Sequence, residues 1–212
     1  MNSVESNLLE ASNLECIRGD QSLFRGLSFG LGRGQCLLVQ GANGSGKTSL
    51  LRMLAGLLAP AGGILRWRGQ PTSELGEAFR TEISYCGHLS AVKEELTAAE
   101  NLRVAAAISG RPASEERARQ VLAEAGLRGR ENLPVRVLSQ GQKRRVALAR
   151  VLLAGSVLWL LDEPVTALDA AAVGWLAGAI DGHVERGGMA VLTSHQELPL
   201  AAGPAQTLKL DA

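Results

Sequence analysis

The chain has no surplus of charge, no cysteines at metal or disulfide spacing, and no apolar run long enough to cross a bilayer. Its 22 basic and 21 acidic side chains leave a formal net charge of +1. Composition therefore gives no ground for a nucleic-acid or acidic-lipid partner. The three cysteines, Cys16, Cys36 and Cys86, are odd in number and far apart, so they indicate neither a disulfide framework nor a zinc site. A reducing cytosolic compartment suits them. Met1 to Asn7 has no basic start followed by an apolar stretch, which argues against a signal peptide. The longest apolar run, Val151 to Leu161, is broken by Gly155 and Ser156 and falls well short of the ~20 residues of a membrane span. Internal repeats and low-complexity segments are missing too.

What is present is one ordinary globular composition. With 212 residues, 46% of them apolar and 20% charged, the chain can bury one sizeable core and carry an inserted lobe. Leu8 to Ile17 and Leu23 to Leu31 read as strands, and Gln35 to Gln40 is a short apolar strand running into a glycine-rich loop. Lys47 to Leu58 has helical spacing in Leu50, Leu51, Leu54 and Leu58 and stops before Pro60. Gly63 to Arg68 and Ile83 to Gly87 are further strand candidates. Between about Leu89 and Leu138 the pattern turns helical. Thr97 with Glu100 forms a capping box for a helix to Ile108, and Ser114 caps another that stops at Gly126. Ser139 with Gln142 opens a helix to Ala154, and Asp169 caps one ending near Gly187. Val157 to Leu161 and Met189 to Thr193 are wholly apolar strands of the kind buried in parallel sheets, and Gln206 to Leu210 closes the series. Alternating strands and helices predict an α/β fold with a parallel core sheet. Lys143, Arg144 and Arg145 would spread around a helix as a solvated face, and His183 would lie on a helix surface.

The chemistry concentrates in a few segments. Gly41, Ala42, Asn43, Gly44, Ser45, Gly46, Lys47 and Thr48 form a complete phosphate-binding loop between a strand and a helix. Glycines let the main-chain N–H groups turn inward, Lys47 sets a cation on the β- and γ-phosphates, and Thr48 offers a hydroxyl to magnesium. Val157 to Leu161 delivers Asp162 to a strand's carboxyl end, where open α/β sheets bind ligands. Asp162 would hold magnesium through water and Glu163 would polarise the attacking water.

Leu138-Ser139-Gln140-Gly141-Gln142 resembles the signature motif of ATP-binding cassette ATPases. Thr166-Ala167-Leu168-Asp169 is similar to that family's D-loop, and His195 to its switch histidine. The resemblance spans essentially the whole chain and implies a single cassette domain over 1–212. Its core is 1–88 with 138–212, a P-loop sheet with an antiparallel β edge, and its helical subdomain is about 89–137. It also implies ATP and Mg2+, and a head-to-tail dimer in which Ser139, Gln140, Gly141 and Gln142 meet the nucleotide of the other copy. His195 would contact the γ-phosphate beside Glu163. Two positions depart from the family pattern. Arg18 stands where an adenine-stacking aromatic is usual, so it either stacks on the base or stands in solvent. His88 stands where the family has a glutamine, and because histidine also titrates near neutrality, magnesium coordination there stays open.

Tyr85-Cys86-Gly87-His88-Leu89, the stretch Lys93 to Ala98 with Glu100-Asn101-Leu102, and Thr193-Ser194-His195-Gln196 resemble the haem-exporter ATPases of bacterial cytochrome c maturation. That likeness implies transport-coupled ATP hydrolysis at the cytoplasmic face of the inner membrane, on membrane subunits, for haem export or haem-chaperone release. The alternative is the ATPase of another small-substrate exporter. Leu89, Val92, Leu96 and Leu102 would line the cleft for those subunits or form the lobe's own core. No Cys-x-x-Cys-His occurs, and His88, His183 and His195 are dispersed, so no haem site is evident. A chromosome-maintenance cassette needs a long coiled coil, for which Lys47 to Leu138 is too short and without heptads. A translation-factor type needs two cassettes and a basic linker.

Overall fold

The computed structural model describes residues 7–88, 91–196, 198–201, 203–204 and 206–210. In chain order the elements begin with β1 (Leu9–Arg18), β2 (Gln21–Leu31), β3 (Cys36–Gly41), α1 (Lys47–Leu54), β4 (Gly62–Trp67) and β5 (Gln70–Pro71). Two short helices follow, α2 (Thr72–Leu75) and α3 (Glu77–Arg80), then β6 (Ile83–Cys86), α4 (Ala98–Ile108), α5 (Glu115–Glu124) and a 3₁₀ turn at Val135–Val137. The chain ends with α6 (Gln140–Ala154), β7 (Leu158–Asp162), α7 (Ala170–Glu185), β8 (Met189–Thr193) and β9 (Gln206–Leu210).

Two sheets result. The parallel one has strand order β6-β7-β8-β3-β9 and the antiparallel one β2-β1-β4-β5. The antiparallel strands form a sheet of their own beside the parallel core. Its inner residues Leu9, Leu14 and Trp67 pack on Leu50, Leu51 and Leu54 of α1, whose other neighbours are Leu37, Val39, Leu160 and Val191 of the parallel sheet. Side chains alternate along β7: Leu158 and Leu160 enter this cluster, while Trp159 and Leu161 enter a second one with α6 and α7. A third cluster fills the lobe between α4, α5 and α6.

The local capping signals set the helix starts. Thr97 and Ser139 each head a capping box, and Ser114 and Asp169 accept from the third N–H of their helices. One helix end differs from expectation. α1 stops at Leu54, because Gly56 takes φ 68 and the Leu57 and Leu58 N–H groups turn back to the Arg52 carbonyl. Leu58 still reaches the core from that turn, which is why its spacing imitates a helix. In the lobe, Leu102 is fully buried and Val92 packs into two clusters, whereas Leu96 is half-buried. Leu89 lies outside the described residues.

His183 is not on the surface. It continues the inward stripe of Ala172, Leu176 and Ile180, and its ring stacks on Trp159 at 3.9 Å and 5°. Nε2 lies 3.2 Å from both the Val157 and Met189 carbonyls, so this nitrogen carries the proton. Burial pulls the His183 pKa down from 6.5, the two carbonyl bonds oppose that, and Arg186 reinforces it. The unfolded chain therefore takes up a proton at higher pH than the folded one. The stability contribution is whole above pH 6.5 and is lost as pH falls below it. Denaturant titrations should show stability falling on that acid side with a slope of at most about 1.4 kcal/mol per pH unit from this group. His183→Phe should flatten it, and an unchanged slope would assign it to other groups.

The basic triplet is not a solvated face either. α6 is wedged between core and lobe, so little of it meets water. Lys143 pairs with Glu94 at 2.5 Å and Arg145 with Asp169 at 2.5 Å, their side chains only 13% and 17% exposed. Arg144 is buried at 4%.

Candidate active site

β3 feeds the phosphate-binding loop at the carboxyl edge of the parallel sheet. A β-carbon on Gly41 would stand 2.5 Å from Ser45 Oγ and 2.6 Å from the Leu210 carbonyl. Gly46 takes φ 99 against the Phe24 ring, so neither position accepts a larger residue without moving its neighbours. Lys47 is buried, and its Nζ donates to the carbonyls of Gly41 at 2.8 Å and Ala42 at 3.0 Å. The ammonium thereby ties the loop to the start of α1. Asn43, Gly44, Gly46, Lys47 and Thr48 line a cleft of about 560 Å³, while Gly41, Ala42 and Ser45 shape the loop behind it.

Across the cleft stand Asp162, Glu163, Thr166 and His195. The β7–β8 register pairs Asp162 with Thr193. Thr193 Oγ1 donates to Asp162 Oδ1 at 2.8 Å and accepts the Glu163 N–H at 2.8 Å. One hydroxyl thus fixes both acids. Glu163 itself adopts φ 47, uncommon for a residue with a side chain. The His195 N–H donates to Glu163 Oε2 at 3.3 Å, and its Nε2 lies 3.4 Å from Oε1. In the sequence Thr193 stands out only within Thr193-Ser194-His195-Gln196 and as a lone hydroxyl ending an apolar strand; its contact with both acids exists once β7 and β8 are paired.

Asp162 Oδ2 and Glu163 Oε1 are buried without a hydrogen-bond partner among the described residues. Asp162 Oδ2 with the Thr48 hydroxyl, both on the cleft, makes an oxygen-only donor set, which suits a hard divalent cation such as magnesium. Among the described residues no group of three or more His, Cys, Asp and Glu could hold a metal ion by itself. Magnesium fits such a sparse set because it ordinarily keeps waters and substrate phosphates in its shell. Arg18, Leu23 and His88 also line the cleft.

The signature residues are not brought to this cleft. Ser139 and Gln140 are exposed at the head of α6, with Ser139 and Gln142 bonded to each other. A β-carbon on Gly141 would stand 2.6 Å from the Ala167 carbonyl. Glycine is therefore required at 141 by the chain's own packing, whatever else it meets.

A family model described as ABC transporter matches residues 24–166, well over half of the chain. The chain belongs to the ABC transporter family. As an ABC ATPase it binds and hydrolyses ATP, and the cleft of about 560 Å³ between the loop and Asp162 is of the size of a small-molecule site. Among similar proteins, the cytochrome c biogenesis ATP-binding export protein CcmA of Dechloromonas aromatica is 55% identical over 96% of this chain and 100% of its own. The CcmA of Pseudomonas aeruginosa is 49% identical over 97% and 100%. The fold is shared with an ATP-binding cassette solved as a dimer in a post-hydrolysis state with ADP and Pi. That structure superposes with TM-score 0.84 at 24% identity, covering 95% of this chain and 94% of its own. Among the described residues of this ABC ATPase, no helix is long and apolar enough to cross a membrane.

Proposed function

We propose that this ATPase is the energy-supplying subunit of a membrane exporter complex serving cytochrome c biogenesis, where hydrolysis powers haem export or haem-chaperone release. The likeness to CcmA proteins along nearly the full length of both chains carries this reading. Lys47 and the loop N–H groups hold the phosphates, Thr48 and, through water, Asp162 hold magnesium, and Glu163 polarises the attacking water with His195 beside it. Arg18 and His88 line the same cleft, Arg18 where the family's adenine-stacking aromatic stands and His88 where its glutamine stands.

The whole chain, 1–212, acts as one cassette, with 1–88 and 138–212 as core and about 89–137 as helical subdomain. Its second copy supplies Ser139, Gln140, Gly141 and Gln142 to the bound nucleotide in a head-to-tail dimer. The exposure of Ser139 and Gln140, away from their own chain's cleft, supports that arrangement. So does the helix N-terminus they form, which favours an anion. The complex sits on the cytoplasmic face of the bacterial inner membrane, and this subunit is peripheral.

The test is a deletion strain with plasmid-borne rescue, read by haem staining of c-type cytochromes and by co-purification of membrane subunits. Staining should vanish in the deletion and return with the intact chain, which should pull down integral membrane proteins. Normal c-type cytochromes in the deletion strain would reject the haem-delivery assignment and leave the ATPase intact.

A further inference from the structure

Arg144 is a buried guanidinium that forms no ion pair among the described residues. Its donors all go to main-chain carbonyls: Nη1 to Gly87 at 2.7 Å, Nη2 to Asp162 at 2.8 Å and to Glu163 at 2.9 Å, and Nε to Pro164 at 3.4 Å. A basic triplet on a helix predicts a solvated side chain here, yet Arg144 is buried, and neither the phosphate loop nor the signature assigns it a task.

The reason for the arrangement lies where β7 ends. Past Asp162 the ladder to β8 stops, and the turn at Glu163 points three successive carbonyls the same way. Buried carbonyls need partners. A planar fork of donors can serve several of them at once, whereas an ammonium concentrates its donors at one point. Glu163 is therefore held from both sides: its N–H by Thr193 and its C=O by Arg144. A residue at φ 47 keeps that conformation only when its surroundings over-determine it. The fourth bond, to Gly87, reaches the residue before His88, which also lines the cleft. One side chain of α6 thus joins two cleft-lining segments to the helix whose exposed start is Ser139.

We propose that Arg144 is a positioning residue for hydrolysis: it clamps the Glu163 turn so that the carboxylate faces the nucleotide, and it links that turn to α6. The proposal rests on Glu163 acting on water, and its test separates the two. The intact chain, in complex with its membrane subunits, is prepared with Arg144→Lys and with Arg144→Gln. Turnover at saturating ATP, KM, direct nucleotide titration and thermal midpoint are measured for each. Misplacing a reacting group by about 1 Å can cost about 10²-fold. We expect kcat to fall about 10- to 100-fold, with ATP affinity and KM unchanged and Arg144→Lys the milder variant. Adding Arg144→Lys to Glu163→Gln should lower the residual rate no further, since residues acting as a unit are non-additive. Wild-type turnover in both single variants overturns the proposal. So does a loss of kcat matched by loss of affinity and of thermal midpoint, or failure of both variants to give soluble protein, because each assigns Arg144 to folding alone. Wild-type turnover by Glu163→Gln alone would instead reject the catalytic role of Glu163.

Discussion

Glu163→Gln is expected to lower ATP turnover by about 10²–10⁴-fold, the usual contribution of a positioned proton acceptor, while nucleotide binding survives. The substitution is nearly isosteric. The main-chain bond from Glu163 to Thr193 is untouched, and a glutamine oxygen can still accept the His195 N–H that now meets Oε2 at 3.3 Å. What disappears is the negative charge of a carboxylate whose other oxygen, Oε1, has no hydrogen-bond partner among the described residues. With loop, Lys47 and Asp162 unaltered, ATP should enter as before and remain, so the variant should accumulate as an ATP-bound dimer. Phosphate release and size-exclusion chromatography with ATP measure the two halves of this expectation. Near-wild-type hydrolysis by the variant in the assembled complex would sink it.

Lys47→Ala should fail in the opposite way. The ammonium is held by two loop carbonyls, Gly41 and Ala42, next to the cleft lining. Truncation removes the cation aimed at the phosphates and leaves those carbonyls facing an anionic ligand. A hydrogen bond to a charged group is worth about 1.5–3 kcal/mol, so ATP affinity should drop about 10- to 100-fold. Direct titration distinguishes this from a catalytic defect, because Glu163→Gln keeps affinity and loses rate. If Lys47→Ala bound ATP as tightly as wild type, the phosphate-loop reading would be wrong.

How much of this was legible in the sequence depends on how local each cause is. Caps are local, so Thr97, Ser114, Ser139 and Asp169 mark their helix starts in sequence as they do in the structure. The loop at 41–48 is local too, and the apolar runs of β7 and β8 announce a sheet buried on both faces. Arg144 and His183 were misread because their surroundings come from afar. Arg144 meets a carbonyl 57 residues upstream and His183 one 26 residues upstream; nothing nearby announces the first, whereas the helical spacing Ala172, Leu176, Ile180, His183 was a local signal for the second. Thr193 was overlooked for the same reason: its task exists only once β7 and β8 lie side by side. The four-stranded antiparallel sheet was foreseen as strands but not as a separate layer, since pairing is a tertiary choice.

α6 belongs to two hydrophobic clusters at once. Val146 and Ala149 fill the lobe, whereas Ala147, Leu148 and Val151 fill the face of the parallel sheet. The lobe consequently has no private core to keep if the rest unravels, and no slack linker joins the two parts on the α6 side. Heat or urea should therefore melt the chain in one cooperative step. A protease acting under native conditions should not release an intact lobe, since cutting ahead of α6 would deprive it of the helix it packs on.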